Sequence, residues 1–363
     1  MSKFIKNINW MAALPYLCLI SLGGIYAAGE LTLTLSLVAI VFLIIAIMAS
    51  VYHAEEIAHD IGEGLGALVL ALSVTVIEVG LIVSLMTAGG EGSSAIARDT
   101  VFAAIMIVSN GIVGICILLG GLKYGEVEFQ FRGANSLLVV LISLSVFCFI
   151  LPNYTTSVVG PYYNNSQLIF ISVISIILYI ALVLFQTKTH AYYFLSEKEA
   201  PTGKSDEKKI ISTKKVLISF AALLFGLISV IGLAKFIAPM IESGVANMGA
   251  PKAVVGLLIA SIVLLPEAIT AILAVRQNKL QTSLNLALGS GAASIALTIP
   301  VVSVYSILNK QPLMLGLDPK SMVFLFLTFI VGSLTLGNGK ATALSGVIHL
   351  IIMFAYFAVT IIP

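Results

Sequence analysis

Two stretches decide how this chain is read: Leu72-Ser-Val-Thr-Val-Ile-Glu78-Val-Gly80 and Ser261-Ile-Val-Leu-Leu-Pro-Glu267-Ala-Ile269. Each sets one glutamate near the middle of a long apolar run, with no lysine or arginine nearby to neutralise it. A charged side chain at the centre of a bilayer helix costs roughly 2.5–3.5 kcal/mol even on a lenient insertion scale. Two such groups in two separate runs imply a task. Carboxylates buried in a membrane hold a cation, a proton, or each in turn.

Composition supports that reading. Of 363 residues, 59% are hydrophobic and 10% are charged, whereas soluble domains carry about 25% charged residues. The chain is a polytopic membrane protein, and the lipid bilayer is its main partner. The net charge of +2, with no concentrated basic face, gives no case for nucleic acid. Cys18, Cys116 and Cys148 all fall in apolar runs without metal or redox spacing and read as small buried hydrophobes. The first apolar run begins near Trp10, after Lys3 and Lys6, and lacks a small-residue cleavage site before the next run. It reads as a retained helix.

A helical span needs about 20 apolar residues. Breaks at charges, Gly/Pro clusters and polar runs give eleven candidate spans: 10–28, 31–51, 65–87, 99–121, 135–151, 167–187, 216–237, 253–275, 281–306, 321–337 and 341–362. With the N-terminus in the cytoplasm, fourteen of the nineteen Lys and Arg fall inside and five outside. That is the sense the positive-inside rule requires. It places the C-terminus outside the cytoplasm and suits the inner (plasma) membrane of a bacterial cell. The only long hydrophilic segment, 188–215, reads as a mobile cytoplasmic linker.

The fold class that follows is all-α, with about eleven transmembrane helices: one leading helix (1–30) and two five-helix repeats, 31–187 and 216–363, joined by that linker. Five is odd, so the repeats cross the membrane in opposite senses. Glu78 and Glu267 each fall on the second span of their repeat and enter from opposite directions, the inverted arrangement of secondary transporters. The next span of each half adds a polar cluster: Ser109-Asn110-Gly111 in the first, and Gly289-Ser290-Gly291 with Asn285 one turn earlier in the second.

Local chemistry adds neutral oxygens. Ser73 and Thr75 precede Glu78 by five and three residues. Pro266 has no N–H to donate, so it releases a backbone carbonyl a turn earlier, near Ile262. Free carbonyls at membrane depth persist only where they line a cavity or meet another partner. The expected cation- and proton-binding set is Glu78, Glu267, Ser73, Thr75, Asn110, Asn285 and Ser290, with the two glutamates as direct ligands of the transported cation.

A second cluster lies at the cytoplasmic end of the second span, where His53, Glu56 and His59 are spaced by three and share a helical face. Solvated mouth residues, a proton or cation vestibule and a fixed metal site all fit that spacing. It is not the His-Glu-x-x-His pattern of the zincins. His349, toward the inner end of the last span, reads as a satisfied packing histidine rather than a relay.

Several segments together carry a family likeness: Ala71–Met86, Arg98–Val108, Leu118–Tyr124, Gln186–His190 and Leu264-Leu265-Pro266-Glu267-Ala268. To these add Asn278-Lys279-Leu280, Asn285–Ser290 and Ile299-Pro300. The chain resembles the calcium/cation antiporter superfamily, in its cation/proton exchanger branch, and most of all the bacterial ChaA-type sodium (potassium, calcium)/proton antiporters. The resemblance implies ten core helices in two inverted halves plus one extra helix. It further implies that Glu78 and Glu267 bind cation and proton, and that 31–51 and 216–237 are long sliding helices that gate access. The family's Gly-Asn before each glutamate is Val74-Thr75 and Val263-Leu264 here, its Gly-Ser in the first repeat is Ile105-Met106, and a glutamine is replaced by Ala293. These departures remove amide oxygens that a divalent ion, with its six to eight ligands, would use.

The function expected is therefore not enzymatic. It is secondary active exchange of cytoplasmic cations (Ca²⁺, Na⁺ or K⁺) for external protons by alternating access, with no cofactor beyond the transported ions. An intramembrane metalloenzyme built on His53, Glu56 and His59, or a passive cation channel, are the competing readings. Lipid-facing and partner-facing surfaces read alike, which leaves room for a homo-oligomer.

Overall fold

A computed structural model describes residues 10–29, 32–61, 63–88, 93–194 and 213–362. The core of the linker, 195–212, and the lysines before Trp10 lie outside them. All eleven expected stretches are helical. Nine helices are long and apolar enough to cross a membrane among the described residues, ten if one bent pair counts as a span, and Ala71–Thr87 is a shorter apolar helix. Side chains such as Ile20, Phe170, Leu334 and Phe354 are widely exposed along these helices, as an apolar solvent allows. The protein is a multi-pass, all-α membrane protein.

By packing, the chain forms two compact units, 1–90 with 205–244 and 91–204 with 245–363. They cut across the sequence halves. The first unit holds α1 (Trp10–Ala28), α2 (Leu33–Ile61), α3 (Glu63–Ala88) and most of α8 (Thr213–Asn247). Here α2 packs along both α1 and α3. Small residues seat α8: a Cβ on Gly226 would collide with Ser50 Oγ, and one on Gly80 of α3 would come within 2.6 Å of Ile231 Cγ1. Ala54, Ile57 and Leu223 form a buried apolar cluster between α2 and α8. Tyr16 with Phe225 and Tyr26 with Phe236 add tilted ring pairs between α1 and α8. Helices α2 and α8, with 29 and 35 residues, are the longest described.

The second unit begins with a rod of α4 (Ile96–Met106), a π-helical segment (Ile107–Ile112) and α5 (Val113–Tyr124). Next come α6 (Phe131–Ser145), α7 (Asn165–Leu184), α9 (Ala253–Val263) and α10 (Leu265–Arg276). A second rod joins α11 (Leu280–Ala293), a π segment (Ser294–Thr298) and α12 (Ile299–Asn309), and α13 (Pro319–Leu336) and α14 (Ala343–Ile361) complete the unit. The helix starts are locally encoded. Asn164 and Gln167 form a reciprocal capping box on α7, and Asp318 caps α13 by accepting from Ser321 N at 3.0 Å.

The chain is not strand-free. Residues 127–128 (β1) and 340–341 (β2) pair antiparallel, Val127 with Ala341 and Glu128 with Lys340. Lys340 Nζ lies 2.9 Å from Glu128 Oε1 and 3.3 Å from Glu126 Oε2, and these bonds hold its ammonium pKa above the ordinary lysine value. Both strands belong to loops assigned to the cytoplasmic side. At the other end Tyr162 bridges Met314, Met314 N donates to the Ser94 carbonyl, and Arg98 Nη1 donates to the Gly316 carbonyl. All of these come from loops assigned to the opposite side. The relative sidedness of the loops within this unit thus agrees with the charge count.

Helices α5 and α14 meet backbone to backbone, where glycines remove the side-chain bulk. A Cβ on Gly346 would lie 2.5 Å from Leu118 N and 2.7 Å from the Gly114 carbonyl, and one on Gly121 would lie 2.5 Å from Ala343 N. Such backbone contact drives helix association where lipid removes the hydrophobic contrast. Gly346→Val is expected to destabilise the second unit by about 3 kcal/mol, the upper end for overpacking. Membrane abundance and the melting temperature in detergent check it: both should fall, while Gly244→Ala, whose Cβ meets nothing within 4 Å, should leave them unchanged.

Candidate cation-binding site

In the first unit Glu78 is 4% exposed on α3, and Ser73 and Thr75 are equally buried. Ser73 Oγ donates to the Val69 carbonyl at 2.7 Å and Thr75 Oγ1 to the Ala71 carbonyl at 2.8 Å. Each hydroxyl proton is thereby directed back along the helix, leaving oxygen lone pairs as acceptors or ion ligands. Thr75 shares a face with Glu78. Ser73 lies roughly 140° away around the helix at 3.6 residues per turn and is the less aligned of the two.

In the second unit the span carrying Glu267 is broken, as Pro266 requires. Helix α9 ends at Val263, Leu264 adopts φ −84° and ψ 0°, and α10 continues at an angle of 50°. Pro266 offers no N–H to Ile262, whose carbonyl instead shares the N–H of Leu264 with Ala260. Glu267, 7% exposed, falls in the first turn of α10. The helix dipole there favours negative charge. Helix α3 has no such break among its described residues, so the two glutamates have different backbone settings.

Asn110 lies within the first π segment. Its Nδ2 donates to Thr328 Oγ1 of α13 at 2.8 Å, and its Oδ1 accepts from His349 Nδ1 of α14 at 3.1 Å. His349, 1% exposed, accepts at Nε2 from Thr335 Oγ1 at 3.2 Å. Thr328, Asn110, His349 and Thr335 thus form one buried polar chain. His349 is satisfied, as expected, but its partner is a predicted site residue. The hydroxyl of neighbouring Ser109 is buried with no hydrogen-bond partner among the described residues.

Ser290 is half-buried on α11. Helices α10 and α11 both pack against the 107–112 segment, and a Cβ on Gly291 would lie 3.3 Å from Val108 Cγ1. The elements carrying Glu267, Asn110 and Ser290 therefore converge. Their register differs from the sequence pairing of Asn110 with Ser290. Counted from the 3-10 turn Ser93–Ala95 that leads into α4, and from the start of α11, the π segment of each rod begins fourteen residues on, Ser93 to Ile107 and Leu280 to Ser294. On that register Ser290 precedes its π segment, whereas Asn110 lies inside one. The buried hydroxyls within the second π segment, Ser294 and Thr298, were not singled out from the sequence. A π turn leaves no composition signal.

Asn285 is placed elsewhere. Its Nδ2 donates to the Phe194 carbonyl at 2.6 Å and its Oδ1 accepts from Gln281 Nε2 at 2.8 Å. Gln281 Oε1 in turn accepts from Gln130 N at 2.7 Å. These amides tie the start of α11 to the turn before the linker, and Asn285 serves as a tether there.

The His53 cluster also takes a specific form. Glu56 Oε1 lies 3.4 Å from Lys215 Nζ, and its Oε2 accepts from Ser219 Oγ at 3.0 Å. Lys215 also reaches Asp60 Oδ2 at 3.5 Å. His53 is 1% exposed, with Nε2 3.3 Å from the Met11 carbonyl. The positive charge facing Glu56 is a lysine from the far end of the linker. The His59 side chain lies outside the described residues.

The sequence profile of the family described as "Sodium/calcium exchanger protein" matches residues 31–188 and 218–362, leaving out the leading helix and most of the linker. The chain belongs to this family: it is a transporter, an ion exchanger of the membrane, and not an enzyme. Among its relatives, y4hA of Sinorhizobium fredii, named as an ionic transporter, is 42% identical over 318 residues, 88% of this chain and 86% of that protein. The "Sodium-potassium/proton antiporter ChaA" of Escherichia coli is 31% identical over 341 residues, 94% of this chain and 92% of that protein. The solved structure of native YfkE superposes with a TM-score of 0.72 at 18% identity, covering 97% of this chain and 100% of that one, and shows the shared fold.

Pro266→Ala restores an N–H donor and is expected to extend helix through the break at Leu264. Transport should fall about ten-fold or more while the melting temperature stays level or rises. Wild-type transport in this variant would show that the break is dispensable.

Proposed function

We propose that the chain exchanges cytoplasmic cations for external protons by alternating access, as a secondary active antiporter. Membership of an exchanger family supports this, as do relatives named for cation/proton antiport. The observation that carries the reading is a pair of buried glutamates, one on α3 and one at the start of α10, in spans with almost no other charge. In this reading an ionised glutamate at membrane depth is neutralised by a proton or by a cation. The two compete for the same oxygens, so entry of one drives exit of the other. Ser73 and Thr75 supply neutral oxygens to Glu78 in the first unit, and Asn110 and Ser290 to Glu267 in the second.

The two halves act as inverted repeats, and α2 and α8 are the helices that move. Their length and the glycine seating of α8 support that assignment. The protein resides in a bacterial plasma membrane with its N-terminus in the cytoplasm. The lysine and arginine distribution and the bacterial relatives support this placement. Missing amide oxygens at Thr75, Leu264 and Ala293 favour Na⁺ or K⁺ over Ca²⁺ as the cation exported.

The metalloenzyme alternative loses its support, because Lys215 and Ser219 engage the carboxylate of Glu56 that a metal would need. A passive channel would not require two titratable groups.

Everted vesicles test the reading through dissipation of a pre-formed ΔpH on adding each cation. Glu78→Gln and Glu267→Gln should each reduce the response to that of vesicles without the protein, at unchanged protein amount. Na⁺ or K⁺ should act at lower concentration than Ca²⁺. Activity retained in both variants would contradict the mechanism.

A further inference from the structure

The reading above leaves unexplained why a histidine is buried in the last transmembrane helix. An imidazole taken out of water needs a partner on each nitrogen, and His349 has both. Its Nδ1 donates to Asn110 Oδ1 and its Nε2 accepts from Thr335 Oγ1. All of this depends on the contact between Gly114 and α14: a Cβ on Gly114 would lie 3.0 Å from His349 Cβ and 3.2 Å from the Gly346 carbonyl.

The partner matters because Asn110 and Ser109 lie in a π segment. A π turn is an uncommon distortion that frees backbone carbonyls from the α-helical ladder and holds an extra residue in the turn. Relaxation to α-helix would rotate every residue beyond it by about 100°. Something outside the rod must therefore fix it. Thr328 of α13 holds one end of the Asn110 amide, and His349 holds the other. The same segment also packs against α10 and α11, which carry Glu267 and Ser290.

We propose that His349 is a positioning residue for cation binding: it clamps the Ser109–Asn110 turn from behind and so sets the geometry that the ion meets. It touches no ion itself. The Asn110 oxygen has two lone pairs, and with one directed to His349 the other remains for the site. This inference rests on the antiporter reading.

The experiment compares the apparent KM for the cation with the maximal rate in everted vesicles, alongside membrane abundance. His349→Leu should raise KM roughly five- to ten-fold, the scale of one lost buried hydrogen bond, with a maximal rate within about two-fold of wild type. His349→Gln, which keeps a donor and an acceptor, should recover most of the affinity. Asn110→Ala combined with His349→Leu should be no worse than Asn110→Ala alone, because the histidine acts through that amide. If His349→Leu does not accumulate, Thr335→Val removes the Nε2 partner at constant shape and should still raise KM. Wild-type KM in every variant that accumulates, or fully additive effects with Asn110→Ala, overturns the proposal. A wild-type protein with no cation-dependent response would instead defeat the antiporter reading.

Discussion

A bilayer core holds no water to satisfy a polar group, and the rest of this structure depends on that constraint. Backbone groups answer it by forming helices. Side chains must answer it individually, and the serines and threonines do so mostly by donating to the carbonyl one turn back, as Ser73, Thr75, Ser84 and Ser261 show. Amides and imidazoles need partners from other helices, which is why Asn110, Thr328, His349 and Thr335 join three elements. Glu78 and Glu267 are costly groups to bury, and the proposed antiport gives them an exchanged ion to bind.

Helix contact in such a medium relies on close approach rather than on apolar burial. Glycines at 114, 121 and 346 let α5 and α14 touch backbone to backbone, and that contact delivers His349 to the π segment. Packing and site are therefore one arrangement in the second unit. In the first unit the glycines at 80, 226 and 232 seat the long α8 against its neighbours in the same way.

Much of this was legible in the sequence. The apolar runs gave every helix, because bilayer thickness dictates run length, and the charge distribution gave the sides on which loops now meet. One proline marked a disturbed backbone before Glu267, although the apolar run read as a single span over 253–275 and the 50° break at Leu264 was not foreseen. What stayed hidden has physical reasons. The π segments change the helical register without changing composition, so Asn110 and Ser290 looked equivalent when they are not. Asn285 read as a ligand because it lies one turn before Gly289-Ser290-Gly291, and no local pattern tells that the Phe194 carbonyl and Gln281 engage its amide. Lys215 stands 159 positions beyond Glu56, a distance at which no local pattern signals an ion pair.

The halves differ in a way that bears on transport. The glutamate of α10 sits at a helix start after a 50° bend, whereas that of α3 lies within a continuous helix. The two carboxylates therefore have different backbone surroundings, one at a helix N-terminus and one in a helix interior. The central claim is that both ions use the same oxygens. Proton release on adding Na⁺, K⁺ or Ca²⁺ to the purified protein in weakly buffered detergent tests it directly. The account requires a saturable release of protons that follows cation binding. Saturable binding with no protons released would contradict it.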